Sequence, residues 1–244
     1  MAEELDGNFA SFEARWTKEL SGALGALGTE QAFRDVFGRL VSIQAWRSEV
    51  LEESLSDGAL QFALEGQNDL LVSYILARGG QWRSSLQAQR AALENYLCAI
   101  YFKDHPVELE LWSLGKYRPS FTDLLSYIKS LPVNIGRDAR SFGYDIIKRE
   151  YAVLSKAVHG SAVAFRMATD GGPEFFSVDL VKMRQWQARL RQVIRGLNLL
   201  LLAIYADDLS ASRKRGLRKA MTYAFKKGDK AWVKTTYKVT LPFK

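Results

Sequence analysis

Apolar residues recur every three or four positions along most of the chain, the spacing that lines one face of an α-helix, and helix-breaking prolines number only five in 244 residues. The pattern predicts an amphipathic opening around Phe12 and Trp16, then a helix capped by Thr29 and marked by Phe33, Val36, Phe37, Leu40, Ile43, Trp46, Val50 and Leu51. "SDGA" at 56–59 ends that helix. Two more follow, at about 60–78, stopped by Gly79-Gly80, and at about 81–103. "RPSFTDLLSYIKSLP" holds a short helix between Pro119 and Pro132, and 140–159 holds another. From 179 to 207 a long helix carries Leu180, Met183, Trp186, Leu190, Val193, Leu197, Leu201 and Ile204 at alternating steps of three and four. Its stretch "LNLLLLAIYA" at 197–206 is well short of the roughly 20 residues a membrane span needs, so it reads as the buried part of a soluble helix.

Two segments break the helical period. "SAVAFRMATDGGPEFFSV" places short β-prone runs on either side of an Asp-Gly-Gly-Pro turn, as a small hairpin over 162–178 would. Near the C-terminus, "AWVKTTYKVTLPF" alternates Val233, Tyr237, Val239 and Leu241 with Trp232, Lys234, Thr236 and Lys238, a strand pattern able to pair with that hairpin. The expected fold is therefore mainly α: a helical bundle over 1–209 with a small β-hairpin, and a basic C-terminal extension over 210–244.

Charge separates the same two parts. Residues 211–244 carry 11 of the 34 cations against Asp229 alone, which leaves 23 cations against 26 acids in the first 210 residues. The net charge of +7 thus belongs to the extension. Its cations Arg213, Lys214, Arg215, Arg218, Lys219, Lys226, Lys227, Lys230 and Lys234, interleaved with Tyr223, Phe225, Trp232, Tyr237 and Phe243, suit phosphate contacts with base stacking on RNA or DNA. An acidic patch on a partner protein, self-association or an anionic membrane surface would be served by the same composition. With 48% apolar residues the chain can bury a sizeable core. The acidic opening "MAEELDGNFA" is not a secretory signal, and the single Cys98 excludes an intramolecular disulfide, so a reducing, cytoplasmic setting is expected.

Candidate chemistry is sparse. Two histidines and one cysteine cannot furnish a His- or Cys-rich metal site, and no phosphate loop, dinucleotide fingerprint or nucleophile elbow occurs, so no metal or cofactor is expected. "DHPVELELW" at 104–112 reads as a solvated loop. On the 140–159 helix a 100° step per residue gathers Ile147, Tyr151, Leu154 and Val158 into a core-facing stripe, with Lys148, Ser155 and His159 as a polar edge beside it. His159, just before Gly160, either caps the helix end or serves as acid, base or phosphate ligand. On the 81–103 helix, Arg83, Arg90, Glu94 and Tyr101 form a line on a helix otherwise covered by Leu and Ala. An interior Arg90 and Glu94 can satisfy each other at i,i+4, either as a structural ion pair or as the lining of a polar cavity facing the His159 helix.

The stretches "QWRSSLQAQRAALENYLCAIYFKDHPVELELW" and "REYAVLSKAVHGSA" resemble helical proteins of the HEPN superfamily over roughly 80–205. That resemblance implies a helical bundle, often dimeric, found in bacterial toxin-antitoxin and antiphage systems, whose active members are metal-independent endoribonucleases with an arginine four to six residues of spacing before a histidine. Carried onto this chain, the histidine is His159 and the arginine falls at 152–154, where Ala152, Val153 and Leu154 stand. Lys156, one turn back, or Arg90 on the neighbouring helix would then supply the cation that clamps the transition-state charge. The expected site is His159, Ser155, Lys156, Arg90 and Glu94, in a protein that binds RNA or DNA through its extension. The competing expectation is a non-enzymatic subunit that docks on a partner through the C-terminal strand, with Arg90, Glu94 and His159 only holding helices together.

Overall fold

The computed structural model describes residues 2–159, 166–169, 172–209 and 214–242. Ten helices carry the fold among them. α1 (Ala2–Gly28) leads into α2 (Gln31–Trp46), which runs on through a π-helical turn (Arg47–Leu51) and a last turn (Glu52–Ser54). Glu30, not Thr29, is the residue that flanks the start of α2, and it makes no side-chain cap. "SDGA" opens the next helix instead of closing this one, because the Ser56 hydroxyl accepts from the Ala59 N–H at the start of α3 (Asp57–Arg78). α4 (Trp82–Asp104) follows, then α5 (Pro106–Ser113). The segment expected as a loop is therefore helical, with Pro106 in the first turn, where a missing N–H costs nothing.

α6 (Phe121–Ser130) lies between the two prolines as the sequence predicts, and it starts on a capping box between Ser120 and Asp123. α7 (Tyr144–Val158) carries the candidate histidine at its end, and α8 (Leu180–Tyr205) is the longest of the inner helices. Every residue from Gly196 to Ala203 is buried, so helices must cover α8 on all sides, and α2, α4 and α7 pack around it. The one amide in that stretch is satisfied: Asn198 accepts from the Trp46 indole at 3.0 Å and donates to Ser42 Oγ at 2.9 Å and to the Ile194 carbonyl at 2.8 Å. α7 reaches α8 through two glycines. Gly143 holds φ +74° with its Cα against the Gly196 carbonyl, where a Cβ would stand 2.4 Å from the oxygen. This contact fixes where α7 begins and which of its residues face α4.

The expected β elements are replaced. Of the hairpin, the described residues contain only two antiparallel pairs, Ala168 with Pro173 and Thr169 with Gly172, and 160–165 and 170–171 lie outside them. The C-terminal strand is a helix. α9 (Arg215–Ala224) and α10 (Lys227–Tyr237) fill the region read as a basic extension with a strand, and neither is appended to the bundle. Leu217, Met221, Ala224, Phe225, Val233 and Tyr237 are buried in the same core as α8. Val233 and Tyr237 are four apart as well as on alternate positions, and the tertiary core selects the helical reading. Asp229 anchors it by accepting from the Lys226 N–H at 3.1 Å and pairing with Arg195 of α8 at 2.9 Å. The helix ends at Lys238, at φ 59°, and beyond it Val239 and Leu241 are buried.

Leu217→Ala and Met221→Ala are each expected to lower stability by about 2–5 kcal/mol, the cost of a cavity in a packed core. Urea unfolding checks this. An extension lying outside the core would leave the midpoint nearly unchanged.

Candidate functional site

α4 and α7 lie side by side and run in opposite directions, so residues 83–94 of one face residues 158–151 of the other. At the inner end of this seam Arg90 Nη2 donates to Glu94 Oε1 at 2.8 Å and to the Tyr151 hydroxyl at 2.6 Å, and that hydroxyl donates to the same Glu94 oxygen at 2.8 Å. The three groups close a triangle across two helices. Tyr151 is further held by Phe121 of α6, stacked at 3.4 Å between ring centroids, while the Arg90 guanidinium sits 4.8 Å from the same tyrosine ring. Burial pushes the Tyr151 phenol above its ordinary range, its bond to the Glu94 carboxylate pushes the same way, and Arg90 pulls back. The ion pair is less interior than its sequence setting suggests, with side chains 24% and 31% exposed. Beside it opens a cleft of about 370 Å³ walled by Glu94, Asn95, Cys98, Arg118 and Phe121. Burial raises the Cys98 thiol to about 12, with Glu94 adding to the rise and Arg118 opposing it.

The remaining residues of the expected site stand elsewhere. Ser155 is one turn along α7 from Tyr151 and spends its hydroxyl on the Tyr151 carbonyl at 2.8 Å. His159 is two turns along, exposed, with its backbone N–H on the Ser155 carbonyl as the helix ends. Lys156 is exposed on another face. Arg83 of α4 donates its guanidinium to the carbonyls of Ala157 and Val158 at 2.9 and 3.1 Å and so caps the end of α7. An inner site of His159, Ser155, Arg90 and Glu94 is not assembled: Arg90 and Glu94 meet Tyr151, and Arg83 meets the residues before His159.

Three residues are not singled out by the sequence for the contacts they make: Tyr151 and Arg83 on this seam, and Glu150 on the side of α7 that faces α8. Tyr151 falls in the core stripe by its helical angle, while its phenol carries polar as well as apolar surface. Arg83 aligns with Arg90 on α4, but its role depends on where a distant helix stops. Glu150 is wholly buried, paired with Arg189 of α8 at 2.9 Å and with Arg149 at 3.3 Å. Its signal was its helical angle, about 60° from Ile147 on the side of Ala157, which lies inside the buried sector.

The cations of α9 and α10 occupy a different surface. Arg215, Lys219, Lys226 and Lys234 are exposed, and Arg218 and Lys230 half-buried. Lys214 is drawn back to α2, pairing with Glu53 at 2.9 Å and donating to the Glu49 carbonyl. Arg213, Phe243 and the side chain of Lys227 lie outside the described residues. The aromatic residues expected between these cations turn inward: Phe225 and Tyr237 are buried, and Trp232 is half-buried with its edge against Tyr237. Tyr223 is the exposed one.

No protein-family model, curated protein or solved structure matches the chain. Among the described residues no group of three or more His, Cys, Asp or Glu is placed to hold a metal ion, and no helix is long and apolar enough to cross a membrane.

Tyr151→Phe keeps the ring stacked on Phe121 but removes the hydroxyl that joins Arg90 to Glu94, with an expected loss of about 1 kcal/mol in a urea titration. The Cys98 thiol is expected to be almost wholly protonated at pH 8 and to react with iodoacetamide far more slowly in the folded chain than in urea, as mass spectrometry of the adduct would read out.

Proposed function

We propose that the protein binds nucleic acid by its phosphate backbone, through the outer face of α9 and α10, as a HEPN-like helical protein of a bacterial antiphage or toxin-antitoxin system. One observation carries the reading. Over residues 214–242 nine Lys or Arg face a single Asp, and helices anchored in the core hold Arg215, Lys219, Lys226 and Lys234 outward as fixed points. A phosphate ladder is met by fixed cations at low ordering cost, and each neutralised phosphate releases counterions. With Phe225 and Tyr237 internal, Tyr223 is the one fully exposed ring among the described aromatic residues of this region, too little for a run of stacked bases, so double-stranded DNA or RNA is the better ligand.

The endoribonuclease reading rests on a separate observation, the guanidinium of Arg83 at the carbonyls preceding the exposed His159. A cation from α4 there takes the place of the arginine that the resemblance puts at 152–154. In this reading His159 moves the proton and Arg83 stabilises the developing phosphate charge. Docking on a partner through a C-terminal strand has no support, since that segment is the helix α10.

Deleting 211–244 would remove core residues, so charge variants make the cleaner test. Arg215→Ala, Lys219→Ala, Lys226→Ala and Lys234→Ala together are expected to leave the fold intact and to flatten the slope of log affinity against log salt for a DNA or RNA duplex by up to about 3 to 4, roughly 0.9 for each lost contact. An unchanged slope in fluorescence anisotropy would falsify the binding surface. For cleavage, end-labelled RNA is incubated without metal ions. The nuclease reading expects product with wild type and a large loss with both His159→Ala and Arg83→Ala, and equal RNA integrity in all three removes it.

A further inference from the structure

The outer part of α1 presents an exposed apolar face. A single stripe runs through Leu5, Phe9, Phe12, Trp16, Leu20, Ala23 and Leu27, at steps of 4, 3, 4, 4, 3 and 4, all within about 80° on the helix surface. Its inner end is seated: Ala23 and Leu27 are buried against the bundle. Phe12 and Trp16 touch the edges of Phe175 and Phe176, yet stay 45% and 39% exposed. Beyond them Phe9 is 63% and Leu5 68% exposed. The helix is about 40 Å long at 1.5 Å per residue, so its first half overhangs the bundle with the apolar face turned the way that seats the second half. Four large apolar side chains presented in register on one helix face are an interaction surface.

A matching surface exists on the same chain, away from the overhang. α2 and α3 leave a trough where Phe37 and Val41 of one helix and Leu71 and Ile75 of the other are between 37% and 65% exposed. Clefts lined by residues of both helices run along it and join at Phe37. The charges complement. From Ala2 to Trp16 the arm carries Glu3, Glu4, Asp6 and Glu13 against Arg15, and the trough is bordered by Arg34 and Arg78 against Glu30. Pairing arm with arm would bring acidic flanks together, whereas arm in trough joins opposite signs.

We propose that two copies of this chain exchange N-terminal arms, the acidic apolar face of each α1 lying in the α2–α3 trough of the other. A two-fold axis makes the exchange reciprocal and closed, so each copy covers both of its exposed apolar surfaces and no third copy can add. The inference is independent of the nucleic-acid reading, because no arm or trough residue above belongs to the four cations tested there.

Sedimentation velocity and light scattering on the full chain, from 1 to 100 μM, test it. Wild type is expected at twice the chain mass. Phe9→Glu in the arm and Ile75→Glu in the trough are both solvent-exposed changes that leave the circular dichroism spectrum and unfolding midpoint in place, and each is expected to return the protein to monomer mass. A monomeric wild type across the range overturns the proposal. So does an Ile75→Glu protein that stays dimeric while Phe9→Glu does not, since the arms would then be pairing with each other.

Discussion

Eight consecutive buried residues in α8 are the constraint on which the rest of the fold depends. A helix apolar around its whole circumference gains nothing from one neighbour and must be covered on every side. α2, α4 and α7 take most of those sides, and α9 closes the fold by packing on α2 and reaching α8. Asn198 within the stretch lays down a direction as well as a contact, because its amide is satisfied only when Trp46 and Ser42 of α2 stand at one height along α8. A second fixed point is the close approach of Gly143 to Gly196, which sets the start of α7 and with it the partner each of its residues meets.

The candidate chemistry is a consequence of that registry. With α7 held by its first turn on α8, its outer face lies against α4 in the opposite direction, so that Tyr151 reaches Arg90 and Glu94 while the last carbonyls reach Arg83. The same helix faces α8 with Glu150, whose wholly buried carboxylate is tolerable only because Arg189 and Arg149 are at hand. Polar groups along the seam are thus consumed mostly by one another. What is left for a ligand is an exposed histidine beside a capping arginine, and the cleft next to the triangle.

The basic C-terminal region acquires its meaning in the same way. As a loose extension it would be a flexible polycation, paying ordering entropy on binding. As two helices rooted by Leu217, Met221 and Val233, it becomes a preset array of charges, and two of the aromatic side chains that composition alone offers for stacking, Phe225 and Tyr237, are used up in the core.

The sequence by itself determined the helical class, the positions of most inner helices, the burial of most of 197–206 and the i,i+4 pairing of Arg90 with Glu94, because each rests on a period or spacing contained within one element. It also located the charge asymmetry, which needs only counting. What only the tertiary structure decided was every reading that depended on a neighbour. Val233 and Tyr237 fit both a period of two and a step of four, and the core chose the helix. "DHPVELELW" is polar enough for a loop, and the position of Pro106 in a first turn made it a helix. Ser155, His159 and Arg90 share plausible chemistry on two helices, but the antiparallel registry of α4 and α7 gave Arg90 to Tyr151 and placed Arg83 at the end that holds His159. Local periodicity specifies which face a residue occupies; the height at which two faces meet is set by packing elsewhere in the molecule, here by Gly143 on Gly196 and Asn198 on α2.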